Sequence, residues 1–298
     1  MALWLDSEAY AIDDDSETID WIRCIPFGVV HLACLLAIFM PVNASLLWLC
    51  LFSYGLRMFA ITGFYHRYFS HKAFQTHRVW QFVFALLGLT AVQRGPLWWA
   101  AHHRAHHQHS DTQDDVHSPR TRSLLWSHLG WFICNRHFKT DYDRVKDFAR
   151  YPELRFLNRH DQLVPLLTGV LVFATGEWCY SYDPTLGIQG LNLLLWAFLI
   201  PTVLVWHATF SINSLAHLLG RRRFNTRDHS RNNFLLALFT LGEGWHNNHH
   251  RWPTSARQGF YWWEIDVTYY LLKLLSMLRI IHSLNPVPPH VLQRRNGD

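Results

Sequence analysis

The chain has 298 residues, half of them hydrophobic, with 15 Trp, 20 Phe and a formal net charge of +5. Its apolar residues gather in long blocks, which points away from a pair of soluble domains and toward a membrane protein. The five cysteines (Cys24, Cys34, Cys50, Cys134 and Cys179) have an odd count and no CxxC spacing, which argues against a disulfide framework or a thiolate cluster.

The opening stretch, Met1–Asp20, carries seven acidic residues and no Lys or Arg. It lacks the basic segment of a secretory signal, so a mobile, solvated cytosolic tail is expected over residues 1–24. Four apolar blocks follow at about 25–42, 45–65, 162–180 and 188–212, each close to the ~20 residues that cross a bilayer as a helix. Asn43, between Pro41 and Ala44, predicts a tight hairpin between the first two. Pro201 predicts a kink in the fourth, with a freed carbonyl that needs another partner. Cys34 and Cys50 fall in apolar runs and read as small buried hydrophobes. Arg57, inside the second block, is expected either to pair with an acid or to snorkel.

A fifth apolar stretch, Val79–Ala100, is broken by Gln93, Arg94, Gly95 and Pro96. Of the 27 Lys and Arg, 14 lie between residues 65 and 160 and 11 lie after 217, with none in the short connections near Pro41 and at Cys179–Gly190. Positive charge collects on the cytoplasmic side, so both termini and both basic segments are expected there. The fold class is therefore an all-α membrane protein: one domain over 25–298, with four transmembrane helices and a cytosolic helical cap formed by 66–160 and 213–298. A fifth span would separate two histidine clusters across the bilayer. Val79–Ala100 is accordingly read as a helix against the cytoplasmic face.

Those clusters carry the chemistry. They are His66 and His71, then His103, His106 and His107, then His246, His249 and His250. Imidazole is the commonest metal-binding side chain and suits iron, copper and zinc. The second and third clusters share an HxxHH spacing, and positions i, i+3 and i+4 of a helix lie on one face, so each box is expected to aim its rings at a shared point. His66 and His71 diverge on an ideal α-helix and should straddle a helix end. Eight histidines exceed what one metal takes, which implies two metals. Asp111, Asp115 and Glu243 lie close in sequence and are candidates to orient imidazole N–H groups, whereas Asp114 reads as a surface acid. His31, His207 and His290 read as structural or exposed. His102, His109, His117 and His128 lie near the second box without fitting its geometry.

These boxes resemble those of the membrane fatty acyl desaturases of the stearoyl-CoA and delta-9 acyl-lipid type. The resemblance runs from about Phe59 to Pro286. It includes Tyr65-His66-Arg67 through His71, Trp99 to Asp111, Ser127 to Trp131, Asn213-Ser-Leu-Ala-His217 and Gly242 to His250. It implies four transmembrane helices under a cytosolic cap, two irons, and a narrow kinked tunnel for a long acyl chain. It also implies a ninth ligand, His217, and a water-mediated link to the metal from Asn213. The implied activity is oxygen-dependent desaturation, forming a cis double bond, expected at delta-9, in a chain carried on CoA or a glycerolipid. Competing readings are a lipid hydroxylase or ketolase with a similar centre and, in another class, a His-rich metal transporter.

The chain departs from the animal acyl-CoA enzymes at Ala101-His102, where they have Arg-Asp, at Arg94, where they have Asn, and at Phe210, where they have a tunnel Trp. His207-Ala-Thr and Asn247-Asn248 look closer to bacterial and plant members, so a bacterial cytoplasmic membrane is the expected location. Arg94, Arg120, Arg122 and Arg136 could meet CoA phosphates, which tilts the expectation to an acyl-CoA substrate. There is no GxGxxG fingerprint, no iron–sulfur spacing and no HPGG haem motif. Electrons are therefore expected from a ferredoxin or cytochrome b5-type carrier, steered by Arg136–Arg159 and Arg221–Arg231. No nucleic-acid partner is expected, and substrate contacts are not assigned.

Overall fold

A computed structural model describes residues 2–8 and 16–293. It is mostly helical; the only strand pair among the described residues is Gln75–Thr76 against Ile281–His282. Four helices are long and apolar enough to cross a membrane: Trp21–Ile38, Ala44–Ser70, Leu163–Tyr182 and Pro184–His217. Their outward faces carry large apolar side chains such as Trp48, Phe52 and Leu171. Val79–Ala100 does not form a fifth. It divides into a helix at Arg78–Leu89 and the start of another at Pro96–His109, with Val92 and Arg94 between them at positive φ.

Local chemistry sets the boundaries. The side chain of Asn43 accepts from the Leu46 N–H at 2.9 Å, capping the second long helix. Its amide also donates to the carbonyl of Leu186 at 3.1 Å, tying this end to the connection between the third and fourth. Pro201 cannot donate to Ala197, and the freed carbonyl accepts from Ser53 Oγ at 2.7 Å.

Arg57 departs from both expectations. It is buried, its guanidinium is bonded within the protein, and no ion pair holds it among the described residues. Its guanidinium donates to the Phe198 carbonyl at 3.1 Å and to the Thr202 hydroxyl, and lies over the Phe198 ring. The fourth helix thus supplies the polar partners that hydrocarbon lacks.

The N-terminal stretch also differs from a solvated tail wherever it is described. Ser7 N–H donates to the Arg159 carbonyl at 2.8 Å, and Asp6 pairs with the Arg159 guanidinium at 2.6 Å. Glu8 accepts from the Tyr142 hydroxyl, and Glu17 takes Arg122 in two bonds of 2.6 Å each. Opposite charge on the basic segment draws these residues down. Residues 9–15 of the tail lie outside the described residues. Cys50 is buried as expected, whereas Cys34 is only partly buried.

Candidate metal centre

The second long helix is α-helical to Phe59 and then widens into a π-helix over Ala60–Ser70. An i→i+5 ladder changes the relation between His66 and His71. The His71 N–H donates to the His66 carbonyl at 3.3 Å, and the two ring centres are 5.0 Å apart. The pair lies at the helix end, as its spacing required, and the π-turn brings the rings together.

Each HxxHH box lies on a helix, Pro96–His109 and His246–Arg251, but neither aims three rings at one point. His66, His71, His103, His107 and His249 bring one ring nitrogen each to within 4.8 Å of one another. His106, His217, His246 and His250 form a second such group. In both boxes the i and i+4 residues stay together while the i+3 residue crosses to the other group. At about 100° per residue, i+3 and i+4 fall on opposite sides of i, so each box serves both groups. The nine histidines singled out above are thereby divided five and four.

Carboxylates fix the rings from behind. The Nδ1 of His106 meets Asp115 at 3.0 Å, that of His217 meets Asp111 at 2.9 Å, that of His250 meets Asp228 at 2.8 Å, and that of His66 meets Glu243. Burial alone would raise these acids, but their histidine partners outweigh it and hold all four below the ordinary carboxylate range. As carboxylates they accept a hydrogen bond from the Nδ1–H, which keeps that proton on Nδ1 and leaves Nε2 as a bare lone pair. Burial also holds His71, His103, His107, His246 and His249 below the imidazole range, and His250 at about 4. His106 runs the other way: burial pulls it down, but Asp115 raises it further.

The donor set calls for a cation. The Nε2 lone pairs of His217 and His250 each lie 3.0 Å from Nε2 of His246. His246 has at most one proton to offer there, so at least one contact opposes two lone pairs unless positive charge sits between them. His249 Nε2 has the same problem, 3.0 Å from His66 and 2.9 Å from His107. The buried Nδ1 of His246 has no hydrogen-bond partner. Two metal ions with nitrogen ligands would resolve the opposed Nε2 contacts.

Behind Glu243, the buried guanidinium of Arg67 reaches its carboxylate at 2.9 Å and Asp266 at 2.9 Å, and Gln258 donates to Glu243 at 3.0 Å. Sequence reasoning missed Asp228, Arg67, Asp266 and Gln258. Arg67 lies inside the first box, which was a signal. Asp228 stands in a surface-like RDHSRNN run with no spacing to mark it.

The other histidines join neither group, although His117 forms a third small cluster with His106 and Asp115. His117 stacks on His106 at 4.3 Å, and its buried Nδ1 is unpartnered, 3.9 Å from Asp115. His102 is held by the Trp98 carbonyl at 2.9 Å, and burial lowers it to about 3. His109 is partly exposed beside Asp114, whose side chain is solvent-facing. His128, His207 and His31 form a chain with ring nitrogens 3.0 Å apart, and His290 packs on Trp252. Of the arginines suggested for phosphate, Arg94 pairs with Asp161 at 2.9 Å, Arg122 and Arg136 reach Glu17, and Arg120 reaches the His217 carbonyl.

A cavity of about 860 Å³ opens beside the first group. Trp99, His103, His117 and Asn213 line its inner end, and Phe210 lines its wall.

The sequence profile described as fatty acid desaturase matches residues 43–275. The chain is 35% identical to an sn-2 palmitoyl-lipid 9-desaturase of Nostoc sp. (strain 36), over 92% of this chain and 93% of that one. It is 33% identical to an acyl-CoA 5-desaturase of Anemone leveillei (95% and 88% covered) and 34% identical to an sn-1 stearoyl-lipid 9-desaturase of Anabaena variabilis (87% and 92% covered).

Proposed function

The chain belongs to the fatty acid desaturase family and is a fatty acyl desaturase, an oxidoreductase, and from that premise we propose how it works. The nine histidines hold two irons, with His66, His71, His103, His107 and His249 on one and His106, His217, His246 and His250 on the other. The observation that carries this is the convergence of Nε2 lone pairs with four Nδ1 atoms pinned by carboxylates. When bound, the irons supply the redox chemistry that no side chain can provide at an unactivated methylene pair. In the overall reaction a CH2–CH2 unit, O2, two electrons and two protons give a cis CH=CH unit and two waters. The bond is placed at delta-9, as the names of the Nostoc and Anabaena relatives suggest.

The protein's own residues do the rest. Asp111, Asp115, Asp228 and Glu243 orient the rings before metal arrives, so that little reorganisation accompanies binding. Arg67 and Asp266 hold Glu243 in place. The cavity excludes water and fixes which carbons approach, a restriction that can supply several kcal/mol of the barrier. Asn213, which lines the cavity beside His103, would be linked to a bound metal through water. The His groups face the cytoplasm, and the electrons come singly from a ferredoxin or cytochrome b5-type carrier.

The test is a reconstituted assay with iron, oxygen, a reduced carrier and a saturated acyl substrate. One double bond should form per two electrons consumed, with close to two irons per chain. Iron-replete protein that turns over no saturated chain, on CoA or on lipid, would remove this reading.

A further inference from the structure

The two basic segments of the chain meet different fates in the fold. Between residues 65 and 160 acids answer most of the cations: Glu153 takes Arg78, Asp147 takes Arg104 and Lys72, Glu17 takes Arg122, and Asp6 takes Arg159. After His217 the reverse holds. The carboxylates described there, Asp228, Glu243, Glu264 and Asp266, are all buried, and among the described Lys and Arg of that segment only Arg223 forms an ion pair. Its surface therefore carries positive charge with no exposed carboxylate of its own to cancel it.

That charge lies over the second histidine group. Exposed His229 donates its backbone N–H to Asp111 Oδ2 at 2.7 Å, and the same oxygen accepts from His217 Nδ1 at 2.9 Å. Exposed Arg222 donates to the Asp228 carbonyl at 2.8 Å, and the Asp228 carboxylate accepts from His250 Nδ1 at 2.8 Å. Arg227, next to Asp228, is exposed, and exposed Arg120 reaches the His217 carbonyl at 3.4 Å. One exposed acid, Asp114, stands on the loop that carries Asp111, which leaves the three arginines in excess. The surface is thus joined to two ring histidines through one aspartate each. The first group lacks such an approach among the described residues. Glu243, behind His66, is enclosed by buried Arg67, Asp266 and Gln258, and the charges beside His71, on Lys72 and Arg104, are met by Asp147.

We propose that an acidic one-electron carrier protein docks on the face formed by Arg120, Arg222 and Arg227, and that electrons enter the centre through the group of His106, His217, His246 and His250. This rests on the desaturase reading above and adds the docking face and the point of entry. Each docking oxidises the carrier by one electron and reduces the centre by one, no proton crosses the interface, and two dockings supply one turnover. Uncancelled charge at the rim steers the encounter, and the short bonded routes through Asp111 and Asp228 begin where the carrier comes to rest. The segment Arg136–Arg159, whose cations are largely paired, is not the docking face.

Binding and electron delivery are measured separately on full-length, iron-loaded protein in dioleoylphosphatidylcholine vesicles, which contain no saturated chain. The probes are the soluble haem domain of cytochrome b5 and a plant-type [2Fe–2S] ferredoxin. At least one should bind, and more weakly as salt rises and shortens the reach of surface charge. Arg120→Glu and Arg227→Glu should each weaken binding about tenfold at low salt and slow oxidation of the reduced probe in step. Iron content, and reduction of the centre by dithionite, which needs no docking face, should stay at wild-type levels. Arg227→Gln should show a smaller loss in the same direction and carries the test if a Glu variant fails to hold iron. Arg150→Glu makes the same charge change at an exposed position in the first basic segment and should bind like wild type. Binding of neither probe, equal binding by all variants, or an equal loss in Arg150→Glu would overturn the proposal. So would variants that bind the probe normally but no longer retain phosphatidylglycerol, since the face would then belong to lipid headgroups. Wild type that binds and oxidises the carrier through this face yet desaturates no stearoyl chain would defeat the desaturase reading alone. Wild type that desaturates, with binding unmoved by either Glu variant, would defeat the docking face alone.

Discussion

Asp228→Asn is the perturbation that separates an orienting carboxylate from a surface acid. Asp228 Oδ2 lies 2.8 Å from Nδ1 of His250, and its other oxygen accepts from the Ser230 N–H at 2.9 Å. Asn keeps the size and one acceptor but removes the negative charge that fixes the His250 tautomer. Loss of such a partner typically costs 10–100-fold in metal affinity or activity, equivalent to about 1.4–2.7 kcal/mol. The second metal should therefore bind 10–100-fold more weakly, with the group around His71 and His103 little changed. Competition titration with a coloured chelator would resolve two affinities in wild type and a selective loss of one in the variant. Asp114→Asn is the internal control, because Asp114 is exposed and only 4.0 Å from His109. If Asp228→Asn titrates like wild type, or weakens both metals equally, the reasoning that pinned Nδ1 atoms preorganise each group separately is wrong.

Three further outcomes follow from particular residues. His250 is held at about 4 and five other ring histidines lie below the usual range, so the unfolded chain takes up protons first as pH falls. In metal-free protein this stabilisation is complete above about pH 6.5 and is lost as pH falls through about 4, with His106 contributing a smaller effect of opposite sign. Thermal midpoints from pH 7.5 to 4.5 should decline, and a flat profile would contradict this. Gly88→Ala would set its Cβ 2.0 Å from the ring of Tyr65, which is fully buried beside His66, so a loss of about 1–3 kcal/mol is expected in denaturant unfolding. For topology, a cysteine introduced by Thr185→Cys should react with an impermeant reagent in intact cells while one from Thr254→Cys should not; the reverse would invert the protein in the membrane.

The parts legible in the sequence were those with a strong period or an unusual residue type. Four apolar blocks foretold four long helices because hydrocarbon tolerates few alternatives. The three boxes marked the histidines because unpaired clusters of imidazoles are rare inside apolar chains. Spacing misled where the backbone departs from an ideal α-helix. The π-turn at Ala60–Ser70 depends on packing that no local pattern encodes, and it decides how His66 and His71 meet. The HxxHH boxes looked like three-ring clusters because one-face reasoning ignores the angular gap between i+3 and i+4. Long-range polar partners were invisible for a different reason. Asp228, Arg67 with Asp266, and the bonds from Arg57 to the fourth helix join residues far apart in the chain. Their side chains look alike whether they end up paired or exposed. The acidic tail was read from composition alone, which marks charge but not the basic surface waiting for it.

In the proposed function nine histidines hold a centre that desaturates a saturated acyl chain. That function is tested most directly by mass spectrometry of fatty-acid methyl esters, with double-bond localisation, from cells expressing wild type or His217→Ala. His217 is fully buried, and its Nε2 lies 3.0 Å from that of His246. Wild type should add a monounsaturated product with its bond between carbons 9 and 10, and His217→Ala should accumulate in the membrane without making it. A hydroxylated product, or full activity in His217→Ala, would contradict the account.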